Sequence, residues 1–111
     1  MFNHQKLVCY QVALGVAKRV PSIVASWPKD AHYLKDQLKR AVSSVVLNIA
    51  EGNGRPGRGE RGRFFAIARA SAAESASAVE LAAAIGLMDH SDSLAIQAEL
   101  LQVFKMLCKL K

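Results

Sequence analysis

A chain of 111 residues leaves room for one globular domain, 1–111, and none for a second. It is 51% hydrophobic but only 6% aromatic, so its core must be built from Ala, Leu, Val and Ile, which suits helices better than sheets. The formal net charge of +6 points to polyanionic partners, the alternative being a protein that is merely basic.

That charge is uneven. Residues 1–69 carry 12 Lys/Arg against four Asp/Glu, whereas residues 70–111 carry three against five. A concentrated positive face is expected. No run has the length of a membrane-spanning helix, and no signal-peptide pattern opens the chain. Cys9 and Cys108 therefore read as reduced core residues of a cytoplasmic protein.

The first helical segment runs over roughly 5–26, with Leu7, Tyr10, Leu14, Ala17 and Ile23 near one face. Pro21 should kink it or end its first part, because proline lacks the N–H and crowds the preceding turn. "SWPKD" then punctuates the chain. A second helix is predicted over roughly 30–53, where Leu34, Leu38, Ala41, Val42, Val45 and Ile49 recur at three- and four-residue steps. Lys35, Asp36, Lys39 and Arg40 fall on its outer positions.

A third helix is predicted over roughly 60–88. From Ala70 to Met88 its only charges are Glu74 and Glu80, and alanine and serine occupy every face. So little solvated surface implies packing on more than one side. A neighbouring subunit is expected to cover part of it, with Ala73 and Ala84 as outward positions to test. The fourth helix spans roughly 92–110, with an N-cap expected at Ser91 or Asp92. Leu94, Leu101, Phe104, Leu107 and Cys108 form its apolar stripe, and Lys105, Lys109 and Lys111 suit the dipole of its last turns. No strand pattern remains. The expected fold is an all-α, antiparallel up-down four-helix bundle.

Between the second and third helices, Gly52-Asn53-Gly54-Arg55-Pro56-Gly57 matches the dinucleotide fingerprint G-x-G-x-x-G. That fingerprint needs a strand before it and a βαβ unit around it; here a helix precedes it and a proline interrupts it. The phosphate loop ending in Gly-Lys-Ser/Thr is absent too. Arg55, Arg58, Arg61 and Arg63 alternate with glycines, as in flexible segments that follow phosphates, but without aromatics for stacking. The spacing alone favours a helix–helix turn with glycine at the cap.

Asn48, Glu51, Ser71 and Glu74 sit on apolar stripes of the second and third helices, with Ser43, Ser44 and Ser75 nearby. Buried polar groups must find partners. A network across the helix pair is expected, joining the Asn48 amide and the serines to Glu51 or Glu74. Arg55 is placed to pair with Glu51 at i,i+4, and Arg40 or Arg69 could reach the same carboxylates. A bundle metal site would need Glu-x-x-His pairs, and His4, His32 and His90 complete none. No catalytic, cofactor or metal residues are assigned.

The pattern Gln37, Arg40-Ala41, Ser44, Asn48-Ile49-Ala50-Glu51-Gly52, Gly54-Arg55, followed by Phe64, Ala68, Ser71 and Glu74, resembles the small four-helix proteins encoded in intervening sequences of bacterial 23S ribosomal RNA genes. The accessory proteins of diversity-generating retroelements are similar in fold. Tyr10-Gln11 and Trp27-Pro28 fall where that family carries an aromatic–Gln pair and Phe-Pro. Pro21, Ala70 and the Gly/Arg-rich stretch at 55–62 depart from its pattern. The resemblance implies a four-helix protomer in a homopentameric ring, basic surfaces suited to nucleic acid and, in the retroelement branch, a reverse transcriptase as partner.

The expected function is a non-enzymatic oligomeric scaffold that binds RNA or DNA largely without sequence specificity. Lys18, Arg19, Lys39, Arg40, Arg55, Arg58, Arg61 and Arg63 are the candidate phosphate contacts. The alternatives are a protein-interaction adaptor with no direct nucleic-acid role and, more remotely, an enzyme using Glu51 or Glu74 with a metal.

Overall fold

Four α-helices account for most of the computed structural model, which describes residues 1–110. They are α1 (Val8–Val24), α2 (His32–Asn53), α3 (Arg58–Ala84) and α4 (His90–Lys109). Short 3-10 turns at Asn3–Lys6 and Lys29–Ala31 precede α1 and α2. No strand occurs among the described residues. The helices pack in a closed square: α1 against α2 and α4, and α3 against α2 and α4, giving an elongated body of 44 × 24 × 22 Å.

The core divides along that length. One cluster joins Val16, Val20 and Val24 of α1, Leu34, Leu38 and Val42 of α2, Ala78, Val79 and Ala82 of α3, and Ile96 and Leu100 of α4. The other joins Cys9 and Ala13, Val45 and Ile49, Phe65, Ala68 and Ala72, and Val103 and Leu107. All six apolar positions predicted for α2 are buried.

Elsewhere the sequence expectations need correction. Helix α1 continues through Pro21 to Val24, so the proline does not end it. Its most buried line is Cys9, Ala13, Val16, Val20 and Val24, while Leu7, Tyr10, Leu14, Ala17 and Ile23 flank that line half-buried. Helix α3 stops at Ala84, earlier than expected, because Gly86 takes φ +82°. Gly86 N–H then donates to the Ala83 carbonyl at 3.1 Å and Leu87 N–H to that of Ala82 at 2.8 Å, the paired closure of a Schellman cap. The N-cap position of α4 is Asp89, not Ser91 or Asp92. Ser91 instead donates its hydroxyl to the Asp89 carboxylate at 2.6 Å.

The stripe expected on α4 is corrected as well. Its core line is Ser93, Ile96, Leu100, Val103 and Leu107. Of the predicted stripe only Leu107 is buried; Leu94 and Leu101 are 63% and 52% exposed. Cys9 is buried, as expected of a core thiol, but Cys108 is exposed, and both are free. Lys111 lies outside the described residues.

Candidate nucleic-acid interface

Helix α2 carries a polar stripe at Tyr33, Gln37, Arg40, Ser44 and Asn48, where steps of three and four residues hold every member on one side. Helix α3 meets it with Ser71 and Glu74. The seam is close because its residues are small. At Gly52 an added Cβ would come within 2.8 Å of the Phe65 ring and 3.0 Å of Phe64 Cβ. Only glycine lets the head of α3 lie so near α2.

Hydrogen bonds cross and brace this seam. The Ser44 and Ser71 hydroxyls lie 2.7 Å apart. Asn48 Nδ2 donates to the Ser44 carbonyl at 2.8 Å and to its hydroxyl at 3.0 Å. Ser75 Oγ donates to the Ser71 carbonyl at 2.8 Å. Gln37 Nε2 donates to Glu74 Oε2 at 3.0 Å, outside the serines. Asn48 and Ser71 are thus joined through Ser44, while Glu74 takes its bond from Gln37. Glu51 lies apart from this group and pairs with Arg55 at 2.6 Å.

Above the seam lies an open groove of about 530 Å³, lined by Tyr33, Asp36, Gln37, Arg40, Ala41, Ser44, Ser71 and Glu74. Arg40 and Ser44 also line a second groove that continues it past Lys39, Ser43, Leu47 and Asn48. Arg40 Nε is 3.1 Å from Asp36 Oδ2, and the Arg40 side chain is 80% exposed.

The remaining candidate cations fall elsewhere. Arg55, Arg58, Arg61 and Arg63 gather at the α2–α3 junction, and the last three stand on the first turns of α3 rather than in a loop. Arg55 and Arg63 lie over opposite demands of one neighbourhood: each guanidinium rests on the Phe64 ring, at 5.0 and 4.8 Å, and each is within 4.0 Å of Glu60, at 3.7 and 3.9 Å. Arg58 is exposed. Lys18 and Arg19 stand on α1, where Arg19 is ion-paired with Glu99 of α4. Lys18 and Arg19 thus stand on α1, Lys39 and Arg40 on α2, and the four arginines at the α2–α3 junction.

Sequence reasoning missed a third feature, an apolar groove of about 520 Å³ between α3 and α4. Ala72, Ala73, Ala76, Leu94, Ala98, Leu101 and Phe104 line it. Its signal was present: α4 has apolar residues on two adjacent lines, and only one can face the core. No cluster of three His, Cys, Asp or Glu able to hold a metal occurs among the described residues, and no helix there is long and apolar enough to cross a membrane.

A family model described as 23S rRNA-intervening sequence protein matches residues 5–109. A crystal structure of a protein of unknown function from the S23 ribosomal protein family of Bacteroides thetaiotaomicron superposes with a TM-score of 0.82. It is 19% identical, and the match covers 91% of this chain and 92% of that one. At that identity the likeness is one of fold. No curated protein matches the chain.

Proposed function

The chain belongs to the 23S rRNA-intervening sequence protein family, and we propose that it is a non-enzymatic, self-associating scaffold that holds nucleic acid on its basic surface with little dependence on sequence. The observation that carries this reading is the head of α3. Arg58, Arg61 and Arg63 crowd a helix N-terminus that has no side-chain cap, where the helix dipole already disfavours cations. Arg55 Nε and Arg61 Nε are shielded from solvent and have no hydrogen-bond partner within the chain. Those two atoms lie out of reach of a phosphate, but Arg58 and Arg63 are exposed beside the same helix N-terminus, where guanidinium groups suit a phosphate oxygen.

The scaffold is an up-and-down bundle, supported by the core clusters: one takes the end of α1, the start of α2, the end of α3 and the start of α4. It assembles into a ring, a pentamer as the resemblance implies, with the α3–α4 apolar groove closed by another copy. Leu94 and Leu101 line that groove and are left largely exposed in the protomer. The same groove also supports an adaptor role, with a reverse transcriptase among its partners; pull-down with and without nuclease separates the two. The working place of the scaffold is the cytoplasm.

Fluorescence anisotropy with a labelled single-stranded RNA, repeated across a salt series, tests the binding. Log affinity should fall linearly with log salt, by about 0.7 for each phosphate neutralised. Arg58→Glu with Arg61→Glu should weaken binding and flatten that slope. Absence of binding at low salt, or binding indifferent to salt, sinks the proposal. Light scattering tests the assembly, and a monomer at micromolar concentration counts against the ring.

A further inference from the structure

We infer that the groove between the N-terminal turn and the end of α2 is a stacking site for one unpaired base of a single-stranded nucleic acid, with Phe2 as its platform and no preference among bases. This rests on the nucleic-acid reading above and adds to it the place where a base is held.

Phe2 is 75% exposed, yet the turn that carries it is held in place. The Phe2 N–H donates to Gln5 Oε1 at 2.7 Å, and the Gln5 N–H donates to the Phe2 carbonyl at 3.1 Å. Gln11 Nε2 of α1 donates to the Gln5 carbonyl at 3.1 Å and ties the turn to the bundle. The Phe2 and His4 rings stack with centroids 5.7 Å apart and 19° between their planes. His4 in turn meets Tyr10 of α1 edge to face at 4.8 Å. A row of aromatic rings therefore starts on α1 and ends at an open one. A base laid on Phe2 continues that row and takes the ring out of water. Every base has a π-face, so the platform does not choose among them.

The surroundings of the ring favour a nucleotide over an apolar partner. Phe2 and His4 open onto a groove of about 660 Å³ whose other walls are Leu47, Ala50, Gly54 and Pro56, with Glu51 and Arg55 at its polar side. Glu51 is paired with Arg55 at 2.6 Å, so its carboxylate is already answered. Arg58 follows Pro56 by two residues, a span of about 7 Å at most. It is exposed, as is Arg63 one turn further along α3. Over residues 51–63 the acids are Glu51 and Glu60 against four arginines, so the rim of the groove is positive. An apolar helix laid here would desolvate those cations without answering them, whereas a nucleotide offers a base to the ring and a phosphate to the arginines. The junction has no other platform: Phe65 is buried, and Phe64 already carries the guanidinium groups of Arg55 and Arg63. The arginine-rich stretch lacks a stacking aromatic of its own, and the fold supplies one from the other side of α2.

The test uses the full chain and two labelled strands of equal length, oligothymidine and a strand of abasic deoxyribose phosphates, in one low-salt buffer. Both carry the phosphates, and only the first carries bases. Oligothymidine should bind about fivefold or more tighter, the scale of one base–aromatic stack. Phe2→Ala should bring its affinity down toward that of the abasic strand and leave the abasic strand's own affinity unchanged. Phe2→Trp should keep the gap between the strands. The comparison of strands on the unaltered protein stands even where a variant fails to fold. Equal binding of the two strands overturns the stacking site and leaves the general nucleic-acid reading intact. Binding of neither overturns that reading and the stacking site with it. A gap that Phe2→Ala leaves unchanged overturns the assignment to Phe2. A Phe2→Ala chain that keeps the gap and has a lower mass by light scattering assigns the turn to a contact between copies and overturns it as well.

Discussion

Ser44 and Ser71 face each other hydroxyl to hydroxyl at 2.7 Å and tie α2 to α3 at the middle of the polar seam. Ser71 is only 7% exposed, so its hydroxyl has little water to fall back on. Ser71→Ala should destabilise the fold by about 1 kcal/mol, the usual net worth of a hydrogen bond. Ser44→Ala should cost more, because it also strips the Asn48 amide of an acceptor. The double variant should fall short of the sum of the two, as expected for groups in one network. Urea denaturation of all three chains measures this.

Glycines that look alike in the sequence should behave oppositely. Gly52→Ala pushes a methyl group into the Phe65 ring and should cost about 1–3 kcal/mol. Gly59 and Gly62 lie in α3 with nothing within 4 Å of an added Cβ. Gly59→Ala and Gly62→Ala should each stabilise by about 0.4–1 kcal/mol, through a less flexible unfolded chain. Thermal melts of the three variants settle the order.

Neighbouring leucines on α4 should separate folding from assembly. Leu100 is 1% exposed, and Leu100→Ala should cost about 2–5 kcal/mol. Leu101→Ala, at an exposed position, should change the stability of the protomer by no more than about 0.5 kcal/mol. It should instead lower the mass seen by light scattering on dilution. A Leu101→Ala chain as unstable as Leu100→Ala would contradict the placement of these side chains.

The cysteines differ in reach. Cys108 should react with a thiol reagent in the native protein, and Cys9 only as the chain unfolds. Burial pushes the Cys9 thiol above its ordinary value of 9.0. In the unfolded chain the thiol ionises at that ordinary value while the folded chain still holds its proton. The contribution is therefore complete below pH 9.0 and is lost as pH rises through the raised value. Stability of the native chain should fall more steeply above pH 9.0 than that of Cys9→Ala, as read from denaturant midpoints.

Helix α2 was legible because its apolar residues keep one strict line, so periodicity and burial agree at Leu34, Leu38, Ala41, Val42, Val45 and Ile49. The Arg55–Glu51 pair was legible for the same reason, since i,i+4 spacing fixes the neighbours on a helix. Helix α4 was not, because it has two apolar lines and periodicity does not say which faces inward. The end of α3 was hidden in Gly86: an alanine-rich pattern runs past it, and only the positive φ and the Schellman bonds stop the helix.

The sequence by itself determined four helical segments, the excess of positive charge in residues 1–69 and the family resemblance. These follow from composition and from spacing along one chain, which set helical faces without reference to any partner. Tertiary structure decided which residues meet across helices. It joined Gln37 to Glu74 and Ser44 to Ser71, paired Glu51 with Arg55 and turned Leu94 and Leu101 outward. Those pairings depend on how far one helix slides and rotates against the next. That is fixed by the packing of Phe65 on Gly52 and of the small side chains along α3, which no periodicity within a single helix records.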